Sequence, residues 1–73
     1  MVLSELQKGQ TAFITELDIR GNMRRRLFDM GFIKGGEISC IGASPFGDPR
    51  AYMIKDTLIA LRKSEASRIR VTI

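Results

Sequence analysis

The 73-residue chain predicts a mainly β domain: a small barrel of about five short strands, with one helix after the first strand and one or two helical turns. Three observations carry this. Short segments rich in β-branched and aromatic residues follow one another at close spacing, divided by Gly, Pro, Asn and Asp. Only one segment has the period of an amphipathic helix. The length suits one domain spanning residues 1–73 and is too short for two. A domain this small buries only roughly 60% of the surface its unfolded chain exposes, which leaves little core for a buried active site.

Leu3 to Lys8 reads as a short helical turn, with Ser4 as a possible cap and Gly9 as its end. Thr11 to Leu17 reads as a strand whose alternation is broken where Phe13 and Ile14 stand side by side. Asn22 to Met30 predicts the helix. Asn22 is the expected N-cap, and Gly31 stands where a left-handed residue closes a helix. Met23, Leu27 and Met30 fall at i, i+4 and i+7 and form one apolar stripe. Arg25 and Asp29 are spaced to pair across one turn.

Gly35-Gly36 is a turn, and Glu37 to Ala43 is a strand with apolar residues on both faces. Ser44 to Pro49 cannot continue a ladder, because its prolines remove backbone donors. Arg50 to Lys55 and Thr57 to Arg62 read as two strands joined by a tight hairpin at Lys55-Asp56. Ser64 to Ser67 suits one helical turn capped by Ser64. Arg68 to Ile73 alternates cleanly, placing Ile69, Val71 and Ile73 on one face. The central strands need cover on their second face, and the helix with its Met-Leu stripe is the expected cover.

Composition bounds the function. Twelve Lys and Arg against eight Asp and Glu give a formal charge of +4, which favours an acidic partner. The single cysteine, Cys40, cannot form an internal disulfide and suits a reducing, cytoplasmic setting. The N-terminus lacks the basic start and apolar run of a secretory signal. No stretch approaches the ~18 apolar residues that cross a bilayer.

There is no histidine, which removes the usual general base and the commonest metal ligand. Cys40 lies in an apolar strand, where a small buried hydrophobe is the plain reading. The glycines around Gly31 to Gly36 match neither phosphate-binding nor dinucleotide-binding patterns. Catalysis, a cofactor and a metal site within one chain are therefore not expected. A carboxylate site shared between copies stays open.

What remains is binding. Arg24-Arg25-Arg26 is the densest charge run, suited to phosphates or an acidic protein face, although consecutive helix residues point in different directions. Phe46, in a Pro-Phe-Gly loop, is either a contact residue or a lid folded onto the barrel. Phe28 and Tyr52 are either contacts or cover for the second sheet face, cover being preferred. Arg24, Arg25, Phe28 and Phe46 are the expected partner-binding residues.

Several of these segments together resemble a known family. Arg26-Leu27-Phe28-Asp29-Met30-Gly31-Phe32, Lys34-Gly35-Gly36-Glu37-Ile38, Pro45-Phe46-Gly47-Asp48-Pro49, Ile59-Ala60-Leu61-Arg62-Lys63-Ser64-Glu65-Ala66 and Ile69-Arg70-Val71 follow in an order and spacing that resemble the ferrous-iron transport protein A (FeoA) family. The resemblance runs from about Leu3 to the C-terminus. It implies an SH3-like barrel and a small cytoplasmic bacterial protein that assists ferrous iron uptake. It also implies a partner, the membrane transporter FeoB with its cytoplasmic GTP-binding domain. One departure is Asp56, where the family often has Gly; Asp tolerates the left-handed backbone such a turn needs. Two other readings stand beside this one: a nucleic-acid-binding barrel, which the basic charge permits, and a free-standing domain like the regulatory barrel of metal-dependent repressors.

Overall fold

The computed structural model describes all residues from Met1 to Ile73. A 3-10 turn at Leu3–Glu5 leads into β1 (Thr11–Leu17), α1 (Gly21–Asp29), β2 (Glu37–Ala43), β3 (Arg50–Ile54), β4 (Thr57–Leu61), α2 (Lys63–Ala66) and β5 (Ile69–Thr72). The strands form one antiparallel sheet in the order β4-β3-β2-β1-β5. The strand, helix and hairpin expectations hold to within two residues at each end.

Two bulges curl the sheet into a barrel. The β1–β5 register slips at Thr15, between Ile14 opposite Val71 and Glu16 opposite Arg70. The β2–β3 register slips at Ile41, between Cys40 opposite Tyr52 and Gly42 opposite Ala51. An extra residue on one strand bends it and increases its twist. The inward positions build the core: Ala12 and Ile14 from β1, Ile38 and Cys40 from β2, Tyr52 and Ile54 from β3, Ile59 and Leu61 from β4, and Ile69 and Val71 from β5.

The outer strands β4 and β5 do not pair, and the N-terminus lies along β5 and seals that side of the barrel. Val2 bridges Arg70, the Val71 amide donates to the Met1 carbonyl at 2.9 Å, and Leu3 and Leu6 are fully buried. The Tyr52 hydroxyl and the Arg50 guanidinium reach across to the Leu3 and Ser4 carbonyls. Arg50 also lies 3.8 Å from the Cys40 sulfur, so one half-buried side chain ties β3 to the N-terminal turn.

α1 plugs one end of the barrel instead of covering the sheet's second face. Leu27 is fully buried, and Met23 and Met30 pack against the core at half-depth. Full burial of a leucine side chain contributes about 1.5–3 kcal/mol. The helix lies against the end of β1, where Arg24 donates to the Leu17 carbonyl at 3.1 Å, and against the β3–β4 turn, where Gly31 meets Lys55. A narrow three-residue stripe on a nine-residue helix fits the mouth of a barrel better than a broad sheet. The second sheet face stays open, with Phe13, Ile41 and Leu58 exposed and Met53 half-buried.

The caps differ from expectation. Arg20, not Asn22, precedes α1, and its side chain makes no cap bond. At the other end Gly31, with φ +104°, closes the helix as expected. Its amide donates to the Phe28 carbonyl and the Phe32 amide to the Leu27 carbonyl, which satisfies the last carbonyls while Leu27 and Phe32 share the core. Arg62, not Ser64, precedes α2; its amide donates to the Glu65 carboxylate at 2.8 Å, and the Lys63 amide donates to Asp48 at 2.9 Å. Val2, not Ser4, precedes the N-terminal turn.

Candidate functional site

No inward position offers a reactive group outside the apolar core, so the candidate site is a surface. α1 presents it. With Leu27 turned into the barrel, Arg24, Arg25 and Phe28 occupy the outer face. Phe28 lies four residues after Arg24 and three after Arg25, so the three side chains form one contiguous patch. Phe28 is 57% exposed, which overturns the reading of it as cover. Arg25 makes no ion pair with Asp29; the molecule's ion pair is Arg70–Glu16, at 3.9 Å between two exposed side chains. Lys34 stands near Arg24 beside the end of β1, adding positive charge to this end.

Phe46 is the most exposed large apolar residue, at 95%. It is not a lid. The Ser44 amide donates to the Pro49 carbonyl at 3.0 Å, the Ser44 hydroxyl to the Asp48 carbonyl at 2.7 Å, and the Gly47 amide to the Ser44 carbonyl at 2.8 Å. The loop is thus closed on its own backbone, and Asp48 anchors it to the start of α2. A fixed loop that holds an aromatic ring in solvent has already met part of the ordering cost of binding.

The structure brings Arg24, Arg25 and Phe28 together and leaves Phe46 apart. α1 precedes β2 and the Phe46 loop follows it, so the two sites lie at opposite ends of that strand. Its seven residues set them about 20 Å apart, at roughly 3.3 Å per residue. Tyr52, the other aromatic read as contact or cover, is fully buried within the barrel itself. Its neighbours on β3 and the N-terminal turn hold it there, and burial pushes its phenol pKa up against the opposing pull of Arg50. Cys40 is buried, as its apolar strand implied.

One indentation lies beside the start of α1, lined by Ile19, Arg20, Met23, Glu65, Arg68 and Asp18 among others. Asp18 and Glu65 offset Arg20 and Arg68 there, so the hollow favours neither charge sign. Nowhere do three or more His, Cys, Asp or Glu side chains converge. No helix is long and apolar enough to cross a membrane.

The FeoA domain model matches residues 1–73, the whole chain. The chain belongs to the FeoA family. The family is associated with ferrous iron transport, and its fold is the SH3-like barrel that the resemblance implied. The chain is 39% identical over 71 residues to an Fe(2+) transport protein A/Fe(2+) transporter FeoB fusion protein of Porphyromonas gingivalis. That match takes in 97% of this FeoA chain and 8% of the fusion protein's length. The solution structure of FeoA from Chlorobium tepidum superimposes with a TM-score of 0.95 at 36% identity, covering all of this chain and 70% of that one. Stenotrophomonas maltophilia FeoA, a prokaryotic SH3-domain protein crystallised with zinc, gives a TM-score of 0.83 at 37% identity. It is matched over 97% of this chain and 88% of its own.

Proposed function

We propose that this FeoA-family chain is a non-catalytic accessory protein of bacterial ferrous iron uptake, which acts in the cytoplasm by binding the cytoplasmic, GTP-binding part of FeoB. The fusion relative supports the partner, since a covalent link holds the two modules at high effective concentration whatever their intrinsic affinity. On this chain the reading rests on one observation: an exposed Phe28 flanked by Arg24 and Arg25 on the outer face of α1. Aromatic and arginine residues supply most of the binding energy in many protein contacts. Phe46 offers a second anchor at the far end of the barrel. A nucleic-acid surface would set aromatics beside a basic groove for stacking, and here the exposed Phe28 and Phe46 are separated by the length of β2.

The test is capture from a native membrane extract with the protein tagged at its C-terminus. FeoB retained on the tagged protein, and lost when excess untagged protein is added, supports the reading. An extract that yields no FeoB under conditions that preserve the transporter overturns it.

A further inference from the structure

We propose that the free edge of β4 pairs antiparallel with β4 of a second copy of this chain. β4 stands at the end of the sheet and pairs only with β3. The two-residue turn at Lys55-Asp56, with φ of +47° and +63°, makes Ile54–Thr57 the first hydrogen-bonded pair of the hairpin. Such pairs alternate, so Tyr52–Ile59 and Arg50–Leu61 follow. The amides and carbonyls of Leu58 and Ala60 therefore point away from β3, and no turn or loop group reaches them. An edge with unpaired backbone groups is a template for another strand.

The sequence of this edge suits itself. A two-fold axis at Ile59 places Leu58 opposite Ala60 of the second copy and Ala60 opposite Leu58 of the second copy. Both become hydrogen-bonded pairs, which together use every free amide and carbonyl of the two residues. On the outer face a large side chain then meets a small one, twice. Leu58 is 61% exposed in the single chain, and pairing covers it beside Met53, its neighbour on β3. Beyond the strand ends the same axis sets Asp56 opposite Arg62 of the second copy. Both are exposed and neither makes an ion pair within one chain. Lys55 and Lys63 come opposite one another only outside the strand, where the turn and α2 carry the chain away. Such an interface is isologous and closes at two copies.

The experiment is sedimentation equilibrium of the full chain over a concentration series, with urea melts of each variant. The wild type should show a monomer–dimer equilibrium. Ala60→Pro removes an amide that β3 does not use, a place where an edge strand tolerates proline. It should weaken dimerisation at least roughly tenfold, since two symmetric hydrogen bonds are lost. Leu58→Lys, at an exposed position, should weaken it comparably and serves if the proline variant fails to fold. Arg62→Glu should weaken the dimer by setting like charges together, and adding Asp56→Asn should recover part of that loss. A wild type that stays monomeric throughout overturns the proposal, even if a foreign extended peptide binds the edge. So does a dimer that a folded Ala60→Pro or Leu58→Lys leaves unchanged.

Discussion

The hydroxyl of Tyr52 donates to the carbonyl of Leu3 at 3.4 Å, joining the centre of β3 to a turn 49 residues away. The ring fills the barrel while its polar tip is satisfied by the segment that seals it. Tyr52→Phe keeps the ring and removes the bond, so it should destabilise the domain by about 0.5–1.5 kcal/mol in urea melts.

The same burial gives a pH dependence. The phenol's pKa is raised in the folded state, chiefly by burial, with Arg50 pulling the other way. A raised value means that the fold favours the neutral phenol. Its contribution is fully present below the unfolded tyrosine's pKa and is lost as pH climbs from there through the folded value. Alkaline urea melts should fall more steeply for the wild type than for Tyr52→Phe. Tyr52 is the only tyrosine, so phenolate absorbance reports it alone.

Val71 and Arg70 test the barrel register. Val71 is 2% exposed and Arg70 points outward beside Glu16. Val71→Asp buries an unpaired carboxylate and should cost several kcal/mol, enough to unfold a domain of ordinary stability. Arg70→Ala loses one exposed ion pair and should shift stability by no more than ~0.5 kcal/mol. Equal effects would refute the register.

Gly31 is constrained twice, by φ of +104° and by the Lys55 side chain, whose Cδ would lie 2.9 Å from an added Cβ. Gly31→Ala should cost about 1–2 kcal/mol. The control is Gly35→Ala, which has φ of +87° and open space around it. It carries the backbone cost alone and should be the milder of the two in thermal melts.

The partner surface divides into two ends. Phe28→Ala and Phe46→Ala should leave urea stability unchanged, because both rings are exposed, and each should weaken FeoB capture by roughly 1–2 kcal/mol. At a separation of about 20 Å the two losses should add. Arg24→Glu with Arg25→Glu should slow association and reduce its salt sensitivity. Normal capture by all of these variants would move the contact elsewhere on the barrel.

The barrel was largely legible in the sequence, because its signals are local. Alternation at Arg68 to Ile73, the Lys55-Asp56 turn and the Gly31 stop each act within a few residues. What escaped depends on distant partners. Ser64 looks like a cap by type and position, yet Asp48 takes the Lys63 amide from across the fold. Arg50 looks like any charged strand residue, and only the folded N-terminus gives it Ser4 and Cys40 as partners. The proline-bounded loop marked Phe46 as either a contact or a lid, and the folded loop leaves its ring exposed. Phe28 carried no such mark, because a residue just off an apolar stripe looks like cover until the helix is docked.

The uptake machinery implied for this chain should also take up iron elsewhere than on the chain itself. Without histidine, with Cys40 buried and the carboxylates dispersed, the isolated protein should bind Fe2+ no more tightly than roughly the millimolar range of weak oxygen sites. Anaerobic calorimetry would detect a stoichiometric micromolar site, which would point to ligands shared between copies.

The bridge between Val2 and Arg70 joins the segment before β1 to the last strand of the barrel. Leu3 and Leu6 belong to the core, but the strand they seal against has not yet emerged while most of the chain is already outside the exit tunnel. Until β5 is released, β1 lacks its second neighbour and the nascent chain exposes an apolar interior and an unpaired edge, the features that invite aggregation during synthesis. The barrel therefore completes only when its first and last segments meet. Its long-range closure should make folding slower than for a helical chain of equal length.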